Sequence, residues 1–115
     1  MLESGGEVIV LTTVGKIEQA EALAAEIVDK QLAACVTVIS GGLSFYRWKA
    51  QKVTEPELVL LIKTHRDKLS DLQSHFEREH PYEVPEFVVL DVAAVSESYG
   101  KWMHEELKLK LTGDL

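Results

Sequence analysis

Apolar positions along the chain change period several times, and each change marks an element. Glu7 to Thr13 (EVIVLTT) is β-branched and almost continuously apolar between Gly5-Gly6 and Gly15, the pattern of a buried strand. From Lys16 the spacing lengthens. Ile17, Ala20, Ala24, Ile27 and Val28 recur at helical intervals with Glu18, Glu21, Glu26 and Asp29 largely between them, which predicts an amphipathic helix ending near Gln31. Ala33 to Ser40 (AACVTVIS) returns to strand character, Gly41-Gly42 predicts a bulge or bend, and Ser44 to Trp48 resumes as an aromatic strand.

Lys49-Ala50-Gln51-Lys52 reads as a polar hairpin tip, after which Val53 and then Glu57 to Thr64 form the returning strand, with Pro56 interrupting the pairing at an edge or bulge. Two extended arms of roughly 14 residues make a ribbon on the order of 45 Å long. That exceeds a domain of this size, and a lone two-stranded ribbon is unstable in water, so the ribbon is expected to lie against another subunit.

A second helix is predicted from about Arg66 to Glu79, with Leu69, Leu72 and Phe76 on one face, Thr64 as its cap with Asp67 three residues on, and Pro81 ending it. Pro85 to Val92 (PEFVVLDV) is the last clear strand. Glu97 to Leu111 then predicts a third helix in which Tyr99, Trp102, Met103 and Leu107 share a face, weakened locally by Gly100. The order β-α-β-β-α-β plus a terminal helix is the split βαβ, ferredoxin-like plan of the α+β class. No linker or repeat divides residues 1–115, which read as one domain with residues 1–6 as a flexible tail.

Charge narrows the function classes. Twelve Lys+Arg against nineteen Asp+Glu give a net charge of −7, which repels phosphate backbones and disfavours nucleic-acid binding while favouring cationic ligands. No apolar run approaches the roughly 18 residues of a membrane span. The acidic N-terminal residues do not resemble a signal peptide, and the one cysteine, Cys35, cannot form an intrachain disulfide; a cytoplasmic location is the expectation.

Candidate chemistry is sparse. Gly15-Lys16 stands between a strand and a helix, but Val10 occupies the place of the earlier glycine and Ile17 that of the Ser/Thr, so this is an ordinary turn and not a phosphate loop. Cys35 has no basic neighbour in sequence and reads as a buried, inert thiol. Of the four histidines, His75 and His80 lie about 140° apart around a helix. No Cys or His pair has zinc-site spacing, which sets a structural zinc site aside.

The segment His80-Pro81-Tyr82-Glu83-Val84-Pro85-Glu86 reads either as a stiff helix-to-strand connection or as a ligand site whose imidazole and carboxylates suit a divalent transition metal. Tyr46, Trp48 and Trp102 read first as core or interface packing. Lys63, inside an apolar strand, either reaches solvent or pairs with a carboxylate in a cleft.

Five ordered motifs now coincide: Leu32-Ala33-Ala34-Cys35-Val36, Ser44-Phe45-Tyr46-Arg47-Trp48, Ile62-Lys63-Thr64, the His80 to Glu86 segment, and Tyr99-Gly100-Lys101-Trp102. Together they resemble the CutA1 family of divalent-cation tolerance proteins from about residue 8 to residue 105. The resemblance implies a ferredoxin-like subunit, a homotrimer built partly by pairing the long ribbons, a likeness to PII signalling proteins, and no established enzymatic reaction or organic cofactor. It also implies inter-subunit clefts lined at Cys35, Trp48, Lys63, Tyr82 and Glu86. Family members with proposed copper ligands use a Cys at the end of the first strand and two consecutive His before Pro-Tyr. Here Thr12, Glu79 and His80 stand in those places. Without the thiolate that Cu(I) prefers, the set points to a weak site for Cu(II) or another divalent metal at His80 with Glu79. Three readings follow: a trimer that binds a divalent metal or small ligand, a trimeric scaffold for a protein partner, and, on fold analogy, a small enzyme using Lys63, Glu86 and Tyr82.

Overall fold

The structure, a computed structural model, describes residues 1–3 and 5–109. Its elements are β1 (Leu2–Glu3), β2 (Glu7–Val14), α1 (Ile17–Asp29), β3 (Cys35–Trp48), β4 (Gln51–His65), a 3₁₀ turn (Arg66–Lys68), α2 (Leu69–Glu79), β5 (Val88–Asp91), β6 (Ala94–Val95) and α3 (Glu97–Glu106). The main sheet runs β3-β4-β2-β5, all antiparallel, so the two longest strands form one edge. This is the ferredoxin-like α+β plan with a terminal helix.

Register assigns the two faces. Val36, Ile62, Val10 and Val89 stand in one cross-strand row, with Val38, Leu60 and Thr12 in the next. This face carries the core. Val10, Val14, Leu60 and Ile62 pack against Ala20, Leu23 and Ile27 of α1 and Leu72 and Phe76 of α2, all at most 3% exposed. The opposite face holds the rows Cys35–Lys63–Ile9–Leu90, Thr37–Leu61–Leu11–Val88 and Ile39–Val59–Thr13. There Ile39, Val88 and Leu90 are exposed. At about 25 cal/mol per Å², such a face is costly to leave wet.

The ribbon extends well past the core: β3 has 14 residues, β4 has 15, and the longest molecular axis is 53 Å. The register shifts between Ile39 and Gly42, realising the bulge expected from the glycine pair. Gly42 is required there, since a Cβ would lie 2.6 Å from the Glu57 carbonyl oxygen. The tip is a two-residue turn, Lys49-Ala50, with φ of 48° and 64°, and Gln51 and Lys52 already belong to β4.

Several local expectations are corrected. Pairing continues through Pro56, which opposes Leu43; β2 reaches only to Leu58, so this part of β4 has an open flank where a missing N–H costs little. Thr64 is not the cap of the second helix, because its buried hydroxyl donates to the Leu32 carbonyl at 2.7 Å, and His65 Nδ1 instead accepts from the Asp67 N–H at 3.1 Å. The last main-sheet strand begins at Val88 rather than Pro85. Within the stretch read as a flexible tail, Leu2–Glu3 pairs antiparallel with Ala94–Val95, while Ser4 lies outside the described residues. α3 starts at a Ser96 cap that accepts from the Tyr99 N–H and ends at Glu106; of the longer helix expected, Lys110 and Leu111 lie outside the described residues.

Candidate functional site

The residues nominated by the sequence fall into three places on one subunit. At the base of the ribbon, Cys35 and Lys63 are direct cross-strand partners on the open face of the sheet. Lys63 Nζ donates to Thr37 Oγ1 at 3.3 Å and lies 3.9 Å from Cys35 Sγ. Cys35 is half-buried rather than sealed in the core, and the basic neighbour that its sequence lacks is supplied across the strand pair. Lys63 also borders a groove of about 390 Å³ lined by Glu7, Ile9, Val95, Tyr99 and Met103.

The second place is the loop after α2. Pro81 and Pro85 stiffen it, and it turns Tyr82 back onto the ribbon, where the phenol donates to Glu57 Oε2 at 2.5 Å. Glu57 is 7% exposed. Burial alone would raise its carboxyl, but hydrogen bonds from Tyr82, Ser44 and Thr13 outweigh it and hold it below its ordinary value. Burial, and then the hydrogen bond and charge of Glu57, push the Tyr82 phenol well above its ordinary range. Glu86 is raised instead, first by burial and then by repulsion from Glu57, and its buried Oε1 has no hydrogen-bond partner among the described residues. Two carboxylates near one another thus differ: Glu57 is held ionised and Glu86 is disposed to keep a proton.

His80 closes the back of this cluster. Its Nδ1 accepts from the Tyr82 N–H at 3.1 Å, which leaves the proton on Nε2, 3.1 Å from Thr12 Oγ1. Burial lowers the imidazole's affinity for a proton, an effect only partly offset by a backbone hydrogen bond to Thr13 and the charge of Glu57. Both ring nitrogens are therefore occupied by the fold. Glu79 does not join them: it is exposed and lines a depression with Gln19, Ala22, Leu23, Glu26 and Pro81. The expected His80–Glu79 metal pair finds no converging geometry within one chain, because the last turn of α2 sends the carboxylate outward while the following extended residue turns the imidazole inward.

Trp48 occupies the third place, at the ribbon tip, exposed and with Lys49 Nζ 5.9 Å from its ring centroid. Thirteen residues separate it from Cys35 along β3, roughly 43 Å at strand rise. Glu57 is a component that sequence reasoning passed over. Its signal is a carboxylate at the first position of the apolar run Glu57–Ile62; alternation puts it on the open face with Val59 and Leu61, and the Tyr82 loop covers it there.

Comparison with known proteins follows this geometry. The family model described as CutA1 divalent ion tolerance protein matches residues 8–106. The divalent-cation tolerance protein CutA of Thermus thermophilus is 39% identical over 99 residues, covering 86% of this chain and 96% of that protein. Its solved structure superposes with a TM-score of 0.84, covering 87% of this chain and 97% of that one. The structure of CutA from Synechococcus elongatus has a TM-score of 0.88 at 35% identity, covering 92% and 94% of the two chains. With the fold, the motif order and nearly the whole length in agreement, the chain belongs to the CutA1 divalent ion tolerance protein family.

Proposed function

We propose that this protein acts in divalent-cation tolerance as a cytoplasmic, non-catalytic, PII-like homotrimer whose clefts between subunits take up a small ligand or a divalent cation such as copper. One observation carries this reading. Trp48, at the ribbon tip, stands roughly 43 Å along β3 from Cys35, so the two can line one cleft only if the tip arrives from a neighbouring copy. The open sheet face and the exposed Leu43, Phe45, Tyr46 and Trp48 along the ribbon supply apolar surface for that contact. A net charge of −7 favours cations over anions at such clefts. No helix among the described residues is long and apolar enough to cross a membrane.

Light scattering on the purified protein tests the assembly. A mass of about three times the 12.9 kDa chain is expected, and Phe45→Glu in the ribbon should shift it toward the monomer. A wild-type mass near 13 kDa would overturn the reading.

A further inference from the structure

A second polar centre lies at the far end of the open sheet face. Glu7 and His65 are directly opposed in the β2–β4 register, so both side chains rise from the same face. α3 crosses that end and lays His104 over them: His104 Nε2 is 2.9 Å from Glu7 Oε2, and the two imidazole rings stand edge to face with centroids 5.3 Å apart. One ligand-capable atom from each of the three residues lies within 4.8 Å of the other two. Glu7 and His65 are buried, at 4% and 8% exposure, and His104 is half-buried.

The surroundings hold this cluster in place. Glu7 Oε1 accepts from the Gly5 N–H at 3.0 Å, and His65 Nε2–H donates to the Gly5 carbonyl at 2.7 Å. Gly6, at φ +102°, lets the chain wrap against the imidazole, since a Cβ there would lie 2.6 Å from His65 Nε2. The buried Nδ1 of His104 has no hydrogen-bond partner among the described residues, which is unusual for a group held only to shape a core. Glu7 also lines the groove of about 390 Å³, leaving a route for solvent or a further ligand.

We propose that Glu7, His65 and His104 form a divalent transition-metal site within a single subunit, suited to Zn²⁺ or Cu²⁺. Two imidazoles and one carboxylate are a borderline donor set, and three protein ligands beside an open groove leave a coordination position free. Bonds of about 2.0–2.1 Å place tetrahedral ligands roughly 3.3 Å apart, so His104 Nε2 and Glu7 Oε2, now 2.9 Å apart, part slightly while His65 draws inward by at most about 1.5 Å. In the metal-free fold His65 Nε2–H donates to the Gly5 carbonyl and Nδ1 accepts from the Asp67 N–H, so metal binding at Nε2 would replace both bonds: the proton moves to Nδ1, which releases the Asp67 N–H and faces the Asp67 carboxylate 3.7 Å away. A carboxylate behind a ligating histidine raises its basicity and fixes its ring. Lys63 borders the same groove, but its ammonium is turned to Thr37 and Cys35.

The site needs no neighbouring subunit, and its three ligands are not among the cleft residues proposed above, although Lys63 borders the groove that Glu7 lines. Calorimetric titration of the full chain with ZnCl₂ should give one ion per chain. Glu7→Gln and His104→Gln should each weaken binding about tenfold or more, since loss of even an outer partner costs 10- to 100-fold, while His80→Ala leaves it unchanged. Because the variants could disturb packing, electron paramagnetic resonance of wild type loaded with Cu²⁺ gives an independent readout, in which coupling to two imidazole nitrogens is expected. Absence of Zn²⁺ binding by wild type, undiminished binding by folded His104→Gln, loss of binding in His80→Ala, or a spectrum with fewer than two imidazole nitrogens would overturn the site. None of these results bears on the oligomer mass, so the two readings fail separately.

Discussion

Tyr82 Oη donates to Glu57 Oε2 at 2.5 Å, tying the proline-stiffened loop after α2 to the middle of the ribbon. Glu57 is buried and held ionised, so removing its phenolic donor leaves charge with fewer partners. Tyr82→Phe should cost about 1–3 kcal/mol, the range for a hydrogen bond to a charged group together with the desolvation left behind. Urea unfolding of the two proteins, with equal slopes, measures it; an unchanged midpoint would mean that solvent replaces the phenol.

Glu86 gives the opposite sign. Its folded-state pKa is raised, so the folded protein holds more protons than the unfolded chain above the ordinary carboxylate value, and stability falls as pH rises through that range. Glu86→Gln removes the charge but keeps the shape. The variant should melt a few degrees higher than wild type at pH 7, and the gain should disappear near pH 4. A gain that is the same at both values would point to packing instead of ionisation.

Acid sensitivity should begin with the buried histidines. Burial, and then the charge of Lys30, lower the pKa of fully buried His75, and burial lowers that of His80. The unfolded chain therefore binds more protons as pH drops below about 6.5, and stability is lost through that window. His75→Phe should flatten the pH dependence of the melting temperature between about pH 6.5 and 5. Glu7 and Glu57, whose lowered values favour the charged form in the fold, add their losses only at lower pH.

The hairpin tip has room for improvement. Lys49 and Ala50 both have positive φ, the turn geometry that Asn-Gly satisfies at least cost. Ala50→Gly should stabilise the protein by about 1 kcal/mol, the left-handed penalty less the entropy added to the unfolded chain. Thermal unfolding tests this; a lower melting temperature would show that the alanine methyl is in use, for example against another copy.

The hydrophobic periods alone placed β2, α1, the ribbon, α2 and α3, because burying one face of a strand or helix imposes periods of two and 3.6 that sequence displays directly. Five motifs in order supplied the family. Relations across the sheet were not legible in this way. Spacing along the chain set zinc aside for lack of a Cys or His pair at the right interval, yet Glu7, His65 and His104 meet because β2 and β4 pair in one register and α3 folds across their end. His80 and Glu79, adjacent in sequence, part company because α2 ends between them. Lys63 gained Cys35 as a neighbour by cross-strand pairing, not by proximity in sequence. A sequence records which face each residue must bury; which side chains then share a face is set by register and helix packing, and that is where this protein's chemistry is assembled.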